Sequence, residues 1–356
     1  MVGTEPVFHN LGTGEIQCLK ALAAHNVRYL VGGGYAVRFY GYLRKATDLD
    51  VLTGNTNDDA IRLCAALEQI MGFKNPKVQP DKILNQARKI PLQNFGHEFD
   101  ILTAADGVDF DAAYERKSIS VVDGDEIAVI AYGDLIAMKK ASGRPIDIDD
   151  IRHLEAIKDL REKLGELKRA HKLHFEAIEN IRADFDHSIE LVEPSSLPGP
   201  TNFNCVMYAL NLKDDPLVIA LALSDDIVRA APSRRGERYI LADTEFLDFC
   251  LANGSMPSIS DRTTRPGDLL VYMNNGRCRH IGRVVERGRI QSKLGTFDLL
   301  EHHAHEMPDC YGDDLFYVES LTHEQSRDLF IEYAWSVVED NPRTKLLLDS
   351  TINKHR

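Results

Sequence analysis

The chain has no apolar run approaching the roughly 18 residues that a membrane span requires, so no membrane partner is expected. It has no cysteine pair at CxxC spacing. Cys18, Cys64, Cys205, Cys250, Cys278 and Cys310 are scattered, several within apolar periodic stretches, which favours buried thiols and a reducing, cytoplasmic location. The opening MVGTEPVFHNLGTGE offers neither a basic segment nor an apolar one, so no export leader is expected. Positive charge is scarce as well: 42 Lys and Arg face 55 Asp and Glu, for a net charge of −13. Residues 1–200 hold 24 basic and 31 acidic residues (−7), and the remainder 18 and 24 (−6). Neither half is the basic body of a generic DNA binder. Internal repeats and low-complexity tracts are also missing.

What is present suffices for two cores. At 356 residues and 44% hydrophobic composition, two domains are expected. In the first, hydrophobic periodicity predicts helices over 15–26, 35–44 and 58–73, with Asn57 or Asp58 near the last one's N-cap. Strands are expected over 27–33, 48–54 and 97–104, and 126–143 reads as strand into helix. The order α-β-α-β-α-β-β-α implies an α/β layer on a short sheet. From Asp147 a charged helical stretch with one apolar stripe continues towards residue 185. The proline-rich EPSSLPGPTN marks a linker, giving domains over 1–190 and 203–356 joined by 191–202. The second domain opens on a helix near Cys205 and continues with helices in 214–253. Short strands follow TRPGD, and a helical tail over 322–347 carries Trp335 in its core.

The most informative stretch is VGGGYAVRFYGYLRKATDLDVL (31–52). Asp48 and Asp50 stand two apart on a strand, so both carboxylates face one side, and they repel unless a cation joins them. Paired carboxylates of this kind suit Mg²⁺. Asp100, flanked by apolar residues in FDIL, is a third candidate for a two-metal clamp. Gly32, Gly33 and Gly34 bring bare backbone N–H groups to the start of a helix, which favours phosphate. The thirteen residues from 35 to 47 leave room for one helix and a return to the neighbouring strand.

In this order the elements resemble the DNA polymerase β-like nucleotidyltransferase superfamily. They are most similar to the branch of AbiEii-type toxins and minimal nucleotidyltransferases, whose run G-G-x-A…G…R-x-T-x-D-x-D is matched through Arg44, Thr47, Asp48 and Asp50. Downstream, AYGDLIAMKKASGRPIDIDDIRHL resembles that branch's helix, in which a lysine approaches the nucleotide phosphates; Lys139 is the candidate by position, ahead of Lys140. The resemblance spans residues 15–185. It implies a nucleotidyltransferase fold with a short mixed sheet and a helical extension, moving a nucleoside monophosphate from an NTP such as ATP with Mg²⁺ or Mn²⁺. Asp48 and Asp50 would hold the metals, Asp100 would act as ligand and general base, and the glycines with Arg44, Thr47 and Lys139 would bind nucleotide. The implied acceptor is an RNA, notably tRNA, or a protein side chain, with a toxin–antitoxin or defence role by analogy. His97-Glu98, just ahead of Phe99-Asp100, departs from the family's pattern, and either residue would crowd or assist the acceptor.

The second domain places Cys205 at a helix start and His280 at the head of a strand, the minimum for a thiol nucleophile and its base. Gln291 or Ser292 is available as the orienting third group. With Pro266-Gly267-Asp268-Leu269 and His280-Ile281-Gly282 in order, the stretch resembles the NlpC-type, papain-like peptidase and amidase superfamily. The resemblance implies a papain-like α+β domain with Cys205, His280 and Gln291 as its catalytic set. Ser292-Lys293-Leu294-Gly295, His305, Pro308 and Tyr311-Gly312 echo the tail of a related subgroup. His302, His303, His305 and Cys310 lack zinc-ligand spacing and read as a loop. An alternative for the whole chain is a cysteine hydrolase governed by a nucleotide-sensing first domain.

Overall fold

The computed structural model describes residues 11–355, apart from 12, 75–77, 87–88, 95–96, 123–124, 195–202, 223–239, 260–263, 287, 295–297 and 339–341. The expectation for the opening ten residues lies outside these, as does most of the 191–202 linker. Two compact units meet in sequence at Asp159/Leu160. Residues 160–190, expected with the first domain, therefore pack with the second.

The N-terminal unit runs α1 (Thr13–Ala24), β1 (Tyr29–Val31), α2 (Gly33–Phe39), β2 (Asp48–Thr53), α3 (Asn57–Met71), α4 (Pro80–Gln86), β3 (Lys89–Asn94), β4 (His97–Leu102), α5 (Phe110–Glu115), β5 (Ser118–Val122), β6 (Asp125–Val129), α6 (Tyr132–Ser142) and the first half of α7 (Pro145–Arg169). Its six-stranded sheet has the order β3-β4-β2-β1-β6-β5. The β1/β2 pair is antiparallel, whereas β2/β4 and β1/β6 are parallel. The two strands that periodicity did not predict, β3 and β5, are the sheet's edges. Pro91 within β3 is tolerable for that reason, since an edge strand can lose one ladder donor.

Leu49 and Val51 alternate with Asp48 and Asp50 and are fully buried, as are Phe99 and Ile101 around Asp100. Each such side chain contributes roughly 1.5–3 kcal/mol on leaving water. That packing fixes which face the carboxylates take, because a one-residue slip would turn them into the core. Thr56, rather than Asn57 or Asp58, caps α3, in a capping box with Asp59. The long charged helix ends at Arg169, and His171 adopts a left-handed conformation (φ 56°) where periodicity predicted continuation.

The C-terminal unit contains α8 (Phe175–Glu179), β7 (Glu190–Glu193), α9 (Cys205–Ala209), α10 (Pro216–Ala222), α11 (Thr244–Ala252), β8 (Ser258–Ile259), β9 (Leu269–Asn274), β10 (Arg277–Glu286), β11 (Arg289–Lys293), β12 (Leu299–His303), a 3₁₀ turn (Asp309–Tyr311), β13 (Asp314–Val318), α12 (His323–Val337) and α13 (Pro342–His355). Its seven strands pair antiparallel in the order β7-β12-β11-β10-β9-β13-β8. Phe246, Val271, Ile281, Phe316 and Phe330 form its core, with Trp335 half-buried against it. His302 and His303, expected in a loop, lie on β12. A mixed sheet with helices and a separate antiparallel sheet make the chain α+β, as its sequence suggests. Among the described residues no helix is long and apolar enough to cross a membrane.

Candidate active site

The parallel pairing of β2 with β4 sets Asp50 directly beside Asp100. Asp48 joins them from two residues earlier on the same face. One carboxylate oxygen from each of the three lies within 4.8 Å of the others. The glycine turn closes against this cluster. Gly32 caps α2 without a side chain, and its N–H donates to the Asp50 carbonyl at 2.9 Å. Gly33 has φ 53°, and a Cβ there would stand 1.7 Å from Asp50 Oδ2. Only glycine lets the backbone pass so close to the carboxylate. Thr47 Oγ1 donates to Asp48 at 3.2 Å.

Three acids this close resist ionising together. Burial, then the Asp48 and Asp100 charges, push Asp50 up to about 6 against the pull of Lys89 and Arg144. Lys89 Nζ reaches Asp100 at 2.5 Å and is itself half exposed. A divalent cation fits this donor set, because it would neutralise the repulsion that now raises Asp50.

The expected phosphate-binding cations occupy a different place. Lys139 is buried, its ammonium held by Asp147 at 2.9 Å and Asp150 at 2.6 Å. Arg44 pairs bidentately with Asp150 at 2.5 and 2.8 Å. Arg144 and Ser142 complete the network on Asp147. Burial works against the Asp147 charge, yet hydrogen bonds from Arg144, Lys139 and Ser142 hold it below the usual carboxylate range. Lys139 and Arg44 thus clamp the loop that leads into Asp48 onto the start of α7. The cations that act on the carboxylate cluster are Lys89 and Arg144, whose side chains are 55% and 68% exposed. Sequence reasoning missed both. Lys89 lies on the unpredicted edge strand, and Arg144 in GRPID had no periodic signal. The side chains of His97 and Glu98 are outside the described ones.

In the C-terminal unit, Cys205 begins α9, a helix of only five residues capped by Asn204, which accepts from the Met207 N–H at 2.9 Å. So short a helix gives the thiol little dipole support. Burial pushes the Cys205 thiol up to about 11, opposed by an Ile281 backbone hydrogen bond and by Lys168. His280 is fully buried, and among the described residues neither ring nitrogen has a hydrogen-bond partner. Its ring stacks on Tyr311 at 4.3 Å and 6°. Burial, with the nearby His302 and Lys168, holds it well below its ordinary value.

Gln291 is not brought to His280. It pairs across the strands with Arg283, on the opposite face of β10, and its amide joins Tyr208 at 2.9 Å and Glu301 at 3.0 Å. Ser292 takes the His280 face instead, where Gly282 leaves room for it: a Cβ on that glycine would meet Ser292 Cβ at 3.0 Å. Ser292 Oγ bonds His302 Nε2 at 2.8 Å. His302 is therefore the polar group beyond His280 on that face, and burial brings it down to about 4. A signal for it existed in the paired histidines 302–303, but without β12 they read as loop.

A family model described as a domain of unknown function, DUF7689, matches residues 196–319, less than half of the chain. It covers Cys205, His280, Gln291 and His302. No curated protein matches the chain. Among solved structures, the antibiotic-resistance factor ANT(2'')-Ia, reported in a solution structure with substrate-regulated conformation dynamics, is similar at 18% identity and a TM-score of 0.30. The match covers 48% of this chain and 96% of that one. So low a score leaves the functional reading to the site geometry.

Proposed function

We propose that the N-terminal unit transfers a nucleoside monophosphate from an NTP to an acceptor hydroxyl, releasing pyrophosphate. The observation that carries this reading is the convergence of Asp48, Asp50 and Asp100 under a glycine turn whose backbone touches Asp50. When bound, Mg²⁺ or Mn²⁺ at the three carboxylates would supply charge neutralisation for an in-line displacement. The backbone N–H groups of Gly33 and Gly34 and the exposed Arg144 and Lys89 side chains hold the triphosphate. The Arg44–Asp150–Lys139 clamp keeps Asp48 in register. Asp100, released from Lys89, accepts the proton of the acceptor hydroxyl as its oxygen attacks the α-phosphorus. RNA or a protein side chain is the acceptor class this reading favours.

Label transfer from each α-³²P NTP, with total tRNA and cell extract as acceptors, tests it. Label on RNA or protein that disappears in Asp48→Ala/Asp50→Ala supports the transferase and names the acceptor class. No label with any NTP, alongside metal-dependent nucleotide binding, would make the unit a sensor.

His280 favours a second reading for the C-terminal unit, because neither nitrogen of this buried imidazole has a partner among the described residues, which leaves its acceptor nitrogen unoccupied. In that reading the Cys205 thiol gives its proton to His280, and sulfur attacks an amide carbonyl. The imidazolium then protonates the leaving amine, and water hydrolyses the thioester.

A further inference from the structure

The three carboxylates of the N-terminal unit differ in their partners. Asp100 is buried, and Lys89 Nζ reaches its Oδ2 at 2.5 Å. Strand register accounts for the contact. Pro91 stands opposite Asp100 in the β3/β4 ladder, so Lys89, two residues from Pro91, extends on the face that carries the carboxylates. Two other cations of the unit are anchored. Lys139 is 3% exposed and bridges Asp147 and Asp150. Arg144 is tied to Asp147 through Nε at 2.7 Å and Nη2 at 3.2 Å. Lys89 differs from both, since its side chain is 55% exposed on an edge strand. An ion pair with one partner in water is weak, whereas a buried pair is held by the cost of stranding its charges. The Lys89 ammonium can therefore leave Asp100, while Lys139 cannot leave its carboxylates. A divalent cation on the three carboxylates would repel an ammonium at hydrogen-bond distance from one of them, and partial burial strengthens that repulsion.

We propose, resting on the nucleotidyl-transfer reading of this site, that Lys89 is a built-in rival of the divalent cation for Asp100, and that the nucleotide's phosphates complete the site by drawing the ammonium off that carboxylate. The lysine keeps its proton throughout; only its anionic partner changes, from a carboxylate to a phosphate oxygen. A cation arriving before the nucleotide meets two free carboxylates, and one arriving with it meets three. Lys89 is in this role a positioning residue, because it sets when Asp100 is free to act as ligand and as acceptor of the hydroxyl proton.

The test reads two affinities that should move in opposite directions. Mn²⁺ alone is titrated into the full chain by electron paramagnetic resonance, and a fluorescent non-hydrolysable ATP analogue is titrated in EDTA. Lys89→Met is expected to bind Mn²⁺ about tenfold tighter than wild type, and the analogue several-fold weaker. Lys89→Arg should keep both near wild type. Most of the gain in Mn²⁺ affinity should vanish in an Asp100→Asn background, where ion and ammonium no longer compete for one carboxylate. Thermal melts accompany each variant, and Lys89→Gln replaces the methionine variant if that one does not fold. Mn²⁺ affinity unchanged or lowered in Lys89→Met, or the full gain persisting with Asp100→Asn, would overturn the rivalry. The carboxylate site would still stand if Asp48→Asn/Asp50→Asn abolishes binding. An unchanged affinity for the analogue would overturn the passage of the ammonium to phosphate. Equal Mn²⁺ binding by wild type and Asp48→Asn/Asp50→Asn would overturn the carboxylate site as well.

Discussion

Asp50 and Cys205 are both acids that are hard to ionise where they sit, but the causes differ. Burial raises Asp50, and two neighbouring carboxylates add to it; a multivalent cation removes the second cause. Burial raises Cys205 as well, and its opponents are a backbone donor and one lysine. The first site is made by strand register, which sets like charges side by side. The second is made by packing, which buries the thiol. A site of the first kind calls for a ligand from solution; burial, the cause at the second, is not relieved in that way.

The largest effect should come from removing what the first site uses to hold a cation. Asp50→Ala should lower nucleotidyl transfer at least about 10³-fold, as several kcal/mol of transition-state stabilisation implies. Cys205→Ala should leave that transfer unchanged. Equal transfer in both variants, read by α-³²P label, would erase the contrast between the sites.

Next is the clamp behind the cluster. Lys139→Met leaves Asp147 and Asp150 buried beside fewer cations, and breaking a buried pair costs about 3–5 kcal/mol. A urea midpoint within error of wild type would show that Lys139 is not the structural residue its two ion pairs indicate.

Stability should also depend on pH through Asp50. Its pKa in the fold is raised from 3.8 to about 6, so its contribution is fully present below about pH 4 and is lost as pH rises through about 6. The loss is of order 3 kcal/mol at most, at about 1.4 kcal/mol per pH unit. Asp50→Asn should flatten that interval in metal-free denaturation curves. An unchanged slope would sink the assignment.

Much of the first site was legible in sequence because it rests on a two-residue period. DLDVL declares two polar positions facing away from a buried Leu49 and Val51, and FDIL does the same for Asp100. The close approach of Gly33 to Asp50 follows from the same turn. What stayed hidden depends on contacts that periodicity does not encode. Lys89 sits on an edge strand interrupted by Pro91. Lys139, placed by position at the phosphates, is instead captured by carboxylates eight and eleven residues onward. In the second unit the register shifts between Cys278 and His280, and Gln291 falls opposite Arg283, on the other face from His280. His302 could be recognised only once β12 was known to pair with β11.

The smallest expected effect follows from that last point. Gln291→Ala should leave Cys205 alkylation within about twofold of wild type, because its amide serves Tyr208 and Glu301. Ser292→Ala, which removes the partner of His302 Nε2 and leaves the Nδ1 bond to the His303 carbonyl, should change it more. The reverse order would restore Gln291 as the third group.

The most direct test of the central claim is Mn²⁺ binding followed by electron paramagnetic resonance, with a non-hydrolysable NTP present. Wild type and Cys205→Ala should bind Mn²⁺ alike, while Asp48→Asn/Asp50→Asn should not bind it at the same concentrations. Equal Mn²⁺ binding by the aspartate variant would contradict the assignment of the three carboxylates as the cation site.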